Sequence, residues 1–413
     1  MIFQRHPLLI SMFSKLQRFV QPIRSMSTIT IPNSKQPAHR LTMIPGPIEF
    51  SDDVLDAMST PSQAHTSPDF IPVFQEVLQN TRKLFKSSNP TSQPIVISAS
   101  GSLGWDIVGA NFLNRGEKTL VFSTGFFSDR LADALSYYTE TDVDVVKAPL
   151  GESVPLSEVE KALSAKSYDV VTITHVDTSS AVISDVEAIA KKIRSIQPEA
   201  LVVVDAVCSA GVEDIQFDNW GLDYVLTASQ KAVGVPAGLS ISIASERAVK
   251  KAFAKKRPTS YYANLQKWIP IMQAYEHGKG AYYATPPIQL IHAYRVSLRE
   301  ILEQGLDNRF AKHAETSNKF KDNLESLGLK LVAKREFGAN GLTAVYFPKS
   351  INGPDLLKKI SEKGVTLSTG IYAGIATEYF RVGHMGVSAV GKDRHDVDIV
   401  FRLIKETLEE LEK

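Results

Sequence analysis

Apolar positions along this chain change period several times, and each change marks a new element. Helical spacing runs through residues 53–60 and 69–86. A helix is expected over about 103–113, directly after a serine- and glycine-rich loop at 98–104. A strand at 118–123, a helix at 127–138, a strand at 142–146, a helix at 156–165, a strand at 168–174 and a helix at 184–196 follow. Two continuous apolar runs come next: Ala200 to Asp205 (Ala-Leu-Val-Val-Val-Asp) and Tyr224 to Lys231 (Tyr-Val-Leu-Thr-Ala-Ser-Gln-Lys). Unbroken runs of branched residues are the pattern of strands covered on both faces. Helix and strand alternating in this way predict an α/β domain, a mostly parallel sheet flanked by helices.

The regime changes after a long helical stretch at 287–327. Residues 328–347, 354–364 and 365–382 read as strand, helix and strands, and an amphipathic helix at 393–412 closes the chain. The expected organisation is therefore an amino-terminal segment at 1–40, a large domain at 41–300 and a smaller C-terminal α+β domain at 301–413.

Composition narrows this little but excludes much. The 413 residues are 43% hydrophobic and 22% charged with a formal net charge of +1, which argues for a globular protein and against a nucleic-acid surface. The basic group Lys250, Lys251, Lys255, Lys256 and Arg257 reads as a solvated helix face and loop rather than a binding patch. One cysteine, Cys208, rules out an intrachain disulfide framework and a cysteine-based zinc site, and fits a reducing compartment. No apolar run approaches the roughly 20 residues of a membrane-spanning helix, so no membrane partner is expected.

The amino terminus stands apart. No acid precedes Glu49, while Arg5, Lys15, Arg18, Arg24, Lys35 and Arg40 do, among serines and apolar residues. Such a composition is that of a mitochondrial transit segment. Met26 offers an internal start that would give a cytoplasmic or peroxisomal form, although the chain ends Leu-Glu-Lys rather than in a peroxisomal tail.

The candidate chemistry sits at strand ends. In open α/β sheets the ligand crevice lies beyond the carboxyl ends of the strands. Asp205 and Lys231 would both face it. A lysine among small and apolar residues is costly to bury as an ammonium, and covalent attachment to an aldehyde resolves that cost. An acid opposite, keeping a pyridine nitrogen protonated, completes the protein's minimum contribution to pyridoxal-phosphate chemistry. A phosphate needs backbone N–H groups at a helix start, and Ser100, Gly101 and Ser102 offer such a cradle. Phe126 and Phe127, after a strand, could lie over a planar ring. Arg381 ends a strand of the small domain, where a guanidinium could clamp a carboxylate.

The chain also resembles a known family, the class V, fold-type I aminotransferases, and within them the fungal alanine–glyoxylate aminotransferases. The resemblance is carried by Ile-Pro-Gly-Pro-Ile at 44–48, His-Thr-Ser-Pro at 65–68, Gly-Ser-Leu-Gly-Trp-Asp at 101–106 and Thr-His-Val-Asp-Thr-Ser at 174–179. Val-Asp-Ala-Val-Cys-Ser at 204–209, Ala-Ser-Gln-Lys at 228–231, the run 278–287 and Arg-Val-Gly-His-Met-Gly at 381–386 continue it in the same order. It implies that Lys231 binds the pyridoxal 5′-phosphate aldehyde and shuttles the proton, while Asp205 pairs with the ring nitrogen. Val207 and Phe127 would cover the two ring faces, and Thr178 would bond near the phenolic oxygen. Ser100, Gly101, Ser102 and Gln230 would hold the phosphate, joined by Tyr282 and Thr285 of a neighbouring subunit, which implies a homodimer. Arg381 and the backbone of Gly46 would bind the substrate carboxylate. Trp105 lies in a helix and is not the family's stacking aromatic. The implied reaction moves the amino group of alanine to glyoxylate, with serine as an alternative donor.

Other chemistries fare worse. A cysteine desulfurase needs a mobile cysteine and usually a histidine before the lysine, whereas Gln230 precedes Lys231 and Cys208 lies close to Asp205 at the buried end of the sheet. A phosphoserine aminotransferase needs extra basic residues for a second phosphate. A nicotinamide dehydrogenase needs a full dinucleotide fingerprint, which is missing. The nine histidines are scattered, and His65, His175 and His384 read as structural rather than as metal ligands.

Overall fold

The structure is a computed structural model that describes residues 27–139 and 143–413. The first 26 residues, most of the transit-like segment, lie outside the described residues. No described helix is long and apolar enough to cross a membrane.

Seven strands form the central sheet: β1 (Gln93–Ser98), β2 (Thr119–Ser123), β3 (Asp144–Lys147), β4 (Val170–Thr174), β5 (Leu201–Asp205), β6 (Tyr224–Ala228) and β7 (Leu239–Ala244). Their spatial order is β1-β7-β6-β5-β4-β2-β3. The pairs from β6 through β5, β4 and β2 to β3 are parallel, and β7 alone runs against its neighbours. Strands β2, β4, β5 and β6 are buried at every residue, which is why their sequences are continuous apolar runs rather than alternations. Helices cover both faces, among them α1 (Leu103–Phe112), α2 (Phe126–Ser136) and Val186–Ile196.

The structure departs from the sequence pattern in several places. Strands β1 and β7 do not stand out in the chain, because Pro94 interrupts the first pattern and Ser240 and Ser242 dilute the second. Helices Glu246–Ala254 and Leu265–Glu276 are likewise additional to the expected elements. The single helical stretch expected at 287–327 is two helices, α3 (Ile288–Gln304) and α4 (Leu306–Ser326), broken at Gly305 with φ of 75°. The basic group at 250–257 is not wholly a solvated face: Lys255 is buried and donates to the Leu113 carbonyl.

The smaller unit is built on a three-stranded antiparallel sheet of β8 (Leu342–Tyr346), β9 (Ser368–Thr369) and β10 (Tyr379–Gly383), with β10 in the middle. Helices Gly353–Glu362 and Asp396–Leu411 pack on it around Phe380, Val382, Leu356 and Ile404. Residues Leu41 and Thr42 pair in parallel with Val365 and Thr366, so the chain enters the fold through the smaller unit's core.

Candidate active site

Five elements of the central sheet direct residues to one cavity of about 220 Å³. Its lining includes Ser100, Gly101, Ser102, Phe127, Thr178, Asp205, Val207, Gln230 and Lys231. Each follows the carboxyl end of a strand: Ser100 after β1, Phe127 after β2, Thr178 after β4, Asp205 at the end of β5, and Gln230 and Lys231 just past β6. Strand β6 stops at Ala228, not at Lys231 as its apolar run suggests. The three residues beyond it turn the lysine out of the sheet and into the cavity.

Asp205 is 3% exposed, and burial pushes its carboxyl up to about 6. Two N–H donors oppose that effect. The Val207 amide bonds Oδ1 at 3.0 Å, and the Trp105 indole bonds Oδ2 at 2.8 Å. Lys231 donates from Nζ to the Pro45 carbonyl. The next residue, Gly46, has φ of 101°, and a Cβ there would stand 2.4 Å from Lys231 Cδ. Only glycine leaves the lysine its path.

The cradle loop is shaped by a second close approach. A Cβ at Gly101 would meet that of Ala228 at 2.8 Å. Ser100 and Ser102 are exposed, and their hydroxyls bond each other at 2.7 Å. Helix α1 starts at Leu103, so its positive end faces these hydroxyls. Gln230 has a buried Oε1 with no hydrogen-bond partner among the described residues.

Phe127 is held by a residue whose role the sequence does not reveal. Buried Asp177 accepts from the amides of Phe127 and Ser128, both at 3.0 Å, and from the Ser128 hydroxyl at 2.8 Å. Its other oxygen accepts from Ser179 N at 3.0 Å and Ser179 Oγ at 2.6 Å. Asp177, in the short strand Val176–Asp177, therefore caps α2 from a distant segment and fixes the backbone at Phe127. The motif Thr-His-Val-Asp-Thr-Ser is the one signal in the chain that could point to it.

Arg381, on β10, is 8% exposed and does not line the cavity itself. Its Nε donates to the Thr369 carbonyl at 2.8 Å and Nη1 to the Thr178 carbonyl at 3.2 Å. Carbonyls orient the guanidinium without neutralising it, which leaves its charge for an anion. Tyr282 and Thr285 stand elsewhere, both exposed, with the Tyr282 ring 4.9 Å from that of His65. Cys208 lines the cavity but is 2% exposed, and burial pushes its thiol up to about 11. A thiol that stays protonated is a poor nucleophile.

A parallel sheet with a lysine and a buried acid at adjacent strand ends defines a fold-type I, pyridoxal-phosphate type of site. The family model for class V aminotransferases matches residues 52–387, and the chain belongs to that family. It is 48% identical over 379 residues to alanine–glyoxylate aminotransferase 1 of Saccharomyces cerevisiae, covering 89% of this chain and 97% of the yeast protein. It is 29% identical to serine–glyoxylate aminotransferase of Arabidopsis thaliana over 85% of this chain and 86% of that one. Among solved structures, alanine–glyoxylate aminotransferase from Nostoc sp. superposes with a TM-score of 0.82 at 27% identity, covering 92% of this chain and 98% of that one.

The cofactor of this family is pyridoxal 5′-phosphate, and the residues fit it. A buried acid whose two oxygens are held by N–H donors at 3.0 and 2.8 Å suits a protonated ring nitrogen. Half-buried Gln230 has an unpartnered Oε1 at the cavity and carries amide donors that an anion could use. The glycine at 101 leaves the cradle backbone open.

Proposed function

We propose that this chain transfers the amino group of L-alanine to glyoxylate, giving pyruvate and glycine. The observation that carries the reading is 48% identity, spread over nearly the whole chain, to an enzyme named for that reaction. When bound, pyridoxal phosphate supplies an aldehyde that carries the amino group and a ring that withdraws electrons from the α-carbon.

The chain's own residues supply the rest. Lys231 Nζ would be the group that holds the cofactor's aldehyde, and, when free, it would be the base that moves the proton at the substrate α-carbon. Asp205 would hold a proton on the ring nitrogen, which would favour withdrawal of negative charge from the α-carbon. Phe127, Val207 and Thr178 line the cavity and would hold the ring there. Ser100, Gly101, Ser102 and Gln230 bind the phosphate. Arg381 and the Gly46 backbone take the carboxylate that alanine, pyruvate, glyoxylate and glycine share.

Tyr282 and Thr285 are assigned to the phosphate site of a second copy, which makes the working form a homodimer. Their exposure supports this, as does that of Tyr261 at 77%. The amino-terminal composition supports import into mitochondria. A fluorescent fusion that loses its mitochondrial pattern when residues 1–25 are removed would bear this out, and an unchanged pattern would end it.

The test of the reaction is a half-reaction screen. Purified protein is mixed with single amino acids while its visible absorption is followed. Alanine should convert the chromophore fastest and release pyruvate, and glyoxylate should restore the band. Faster conversion by serine would move the donor assignment to serine, since an apolar pocket discriminates weakly against one hydroxyl. Lys231→Ala should lose the band and at least roughly a thousandfold of turnover. Normal turnover by that variant would refute the site altogether.

A further inference from the structure

Trp105 touches the most consequential acid in the protein, and neither its place in the sequence nor the family resemblance assigns it a role. Its indole N–H donates to Asp205 Oδ2 at 2.8 Å, while the Val207 amide holds Oδ1 at 3.0 Å. Donors on both oxygens fix the plane of the carboxylate. Each oxygen keeps a further lone pair, so the acid can still accept from a ring N–H. A bond from a neutral donor to a buried carboxylate is among the stronger hydrogen bonds a protein makes.

The position of Trp105 adds a second consequence. It is the third residue of α1, and its amide bonds Ser102 O at 3.0 Å, within the turn that follows the phosphate cradle. That turn is pinned to β6 by two glycines. A Cβ at Gly101 would meet Ala228 Cβ at 2.8 Å, and one at Gly104 would meet Leu226 Cβ at 2.9 Å. Cradle and indole are therefore both packed closely against the same strand. A single helical turn joins the group that takes a phosphate to the group that orients the ring-nitrogen acid.

We propose that Trp105 is a positioning residue that holds Asp205 ionised and aimed at the cofactor's ring nitrogen, at a distance from the phosphate cradle set by the first turn of α1. The inference rests on pyridoxal phosphate being the group bound. The other charges that face Asp205 are Lys231, past the end of β6, which favours the ionised acid, and Asp177, beyond β4, which disfavours it. Cys208 lies within electrostatic reach on the segment after β5. None of these changes when the indole is replaced.

The experiment compares cofactor-free wild type, Trp105→Phe and Trp105→Gln, each titrated with pyridoxal phosphate between pH 5 and 8 by absorption. Phenylalanine keeps an apolar ring and loses the donor. Glutamine loses the ring but carries an N–H group the same number of bonds from Cβ as the indole nitrogen. Affinity should fall in acid as Asp205 takes up a proton. In Trp105→Phe that fall should move to higher pH, and affinity at pH 7.5 should drop roughly ten- to a hundredfold. Trp105→Gln should lie nearer wild type in the position of its acid limb. An unmoved limb in the phenylalanine variant, with phenylalanine binding better than glutamine, would show that the indole only fills space and would overturn the proposal. A wild-type measurement covers the case of variants that do not fold. The chain has three tryptophans, and the indole N–H resonance of Trp105 should shift on adding cofactor and follow the same acid limb. No movement of that resonance would be equally fatal. If wild type binds no pyridoxal phosphate at any pH, the functional reading fails; if it binds and the acid limbs coincide, only the role of Trp105 fails.

Discussion

Asp205 and Arg381 are both buried charges on strands that border the site, yet the protein holds them in different ways. Asp205 sits in the seven-stranded sheet, and its two donors, Val207 and Trp105, belong to the same domain. Arg381 sits in the small sheet, and its two acceptors are split. Thr369 lies on the neighbouring small-domain strand, and Thr178 follows β4 of the large domain. On the proposed roles, the cofactor end of the site is thus organised within one packed body, whereas the substrate end depends on contacts between the two. Damage to the first should appear as lost chemistry and lost cofactor. Damage to the second should appear as lost substrate affinity.

The largest effect expected from breaking this contrast is at Asp205. Asp205→Asn should retain the fold but lose roughly a hundred- to ten-thousandfold in kcat with little change in KM, measured by steady-state kinetics. A variant of wild-type rate would remove the ring-nitrogen role. The same substitution carries a pH signature in cofactor-free protein. The folded carboxyl is raised from 3.8 to about 6, so the stability it contributes is complete below 3.8 and is lost as pH climbs through about 6. The asparagine variant should therefore gain on wild type over that interval, by up to about 3 kcal/mol, in chemical denaturation. Parallel curves for the two proteins would mean that the acid is not strained by burial.

Arg381→Ala comes next. It should raise KM for both substrates by roughly ten- to a hundredfold, leaving the affinity for pyridoxal phosphate within about twofold. Equal losses in both would erase the distinction between the two ends. The smallest and sharpest test is Tyr379→Phe. The Tyr379 hydroxyl donates to the Ser179 carbonyl across the domain boundary at 2.5 Å and accepts from the amides of Ile371 and Tyr372 at 3.0 and 2.9 Å. Removing it should cost about 1–3 kcal/mol and raise KM a few-fold while sparing the cofactor. Cofactor loss in that variant would show that the two ends are coupled after all.

Much of this site is legible in the chain alone, because the residues concerned end strands whose burial makes them conspicuous. Val202, Val203 and Val204 announce a strand covered on both faces, and the carboxyl end of such a strand is where a ligand crevice forms. Asp205 and Lys231 become visible as charged residues following apolar runs. The small domain's Arg381 is less visible, since β10 is short and its partners lie far off in sequence.

What stays hidden follows a single rule. Strand β7 passes unnoticed because serines on a fully buried strand hide its pattern. Asp177 and Trp105 pass unnoticed because their importance consists of hydrogen bonds to residues 50 and 100 positions away. Local pattern encodes the period of an element and the kind of residue at its end, so the lysine, the acid and the strands they follow are written in the chain itself. Which donors bend that acid's proton affinity, and which carbonyls aim an arginine, depend on distances between segments that meet only when the sheets pack, and no property of one segment specifies them.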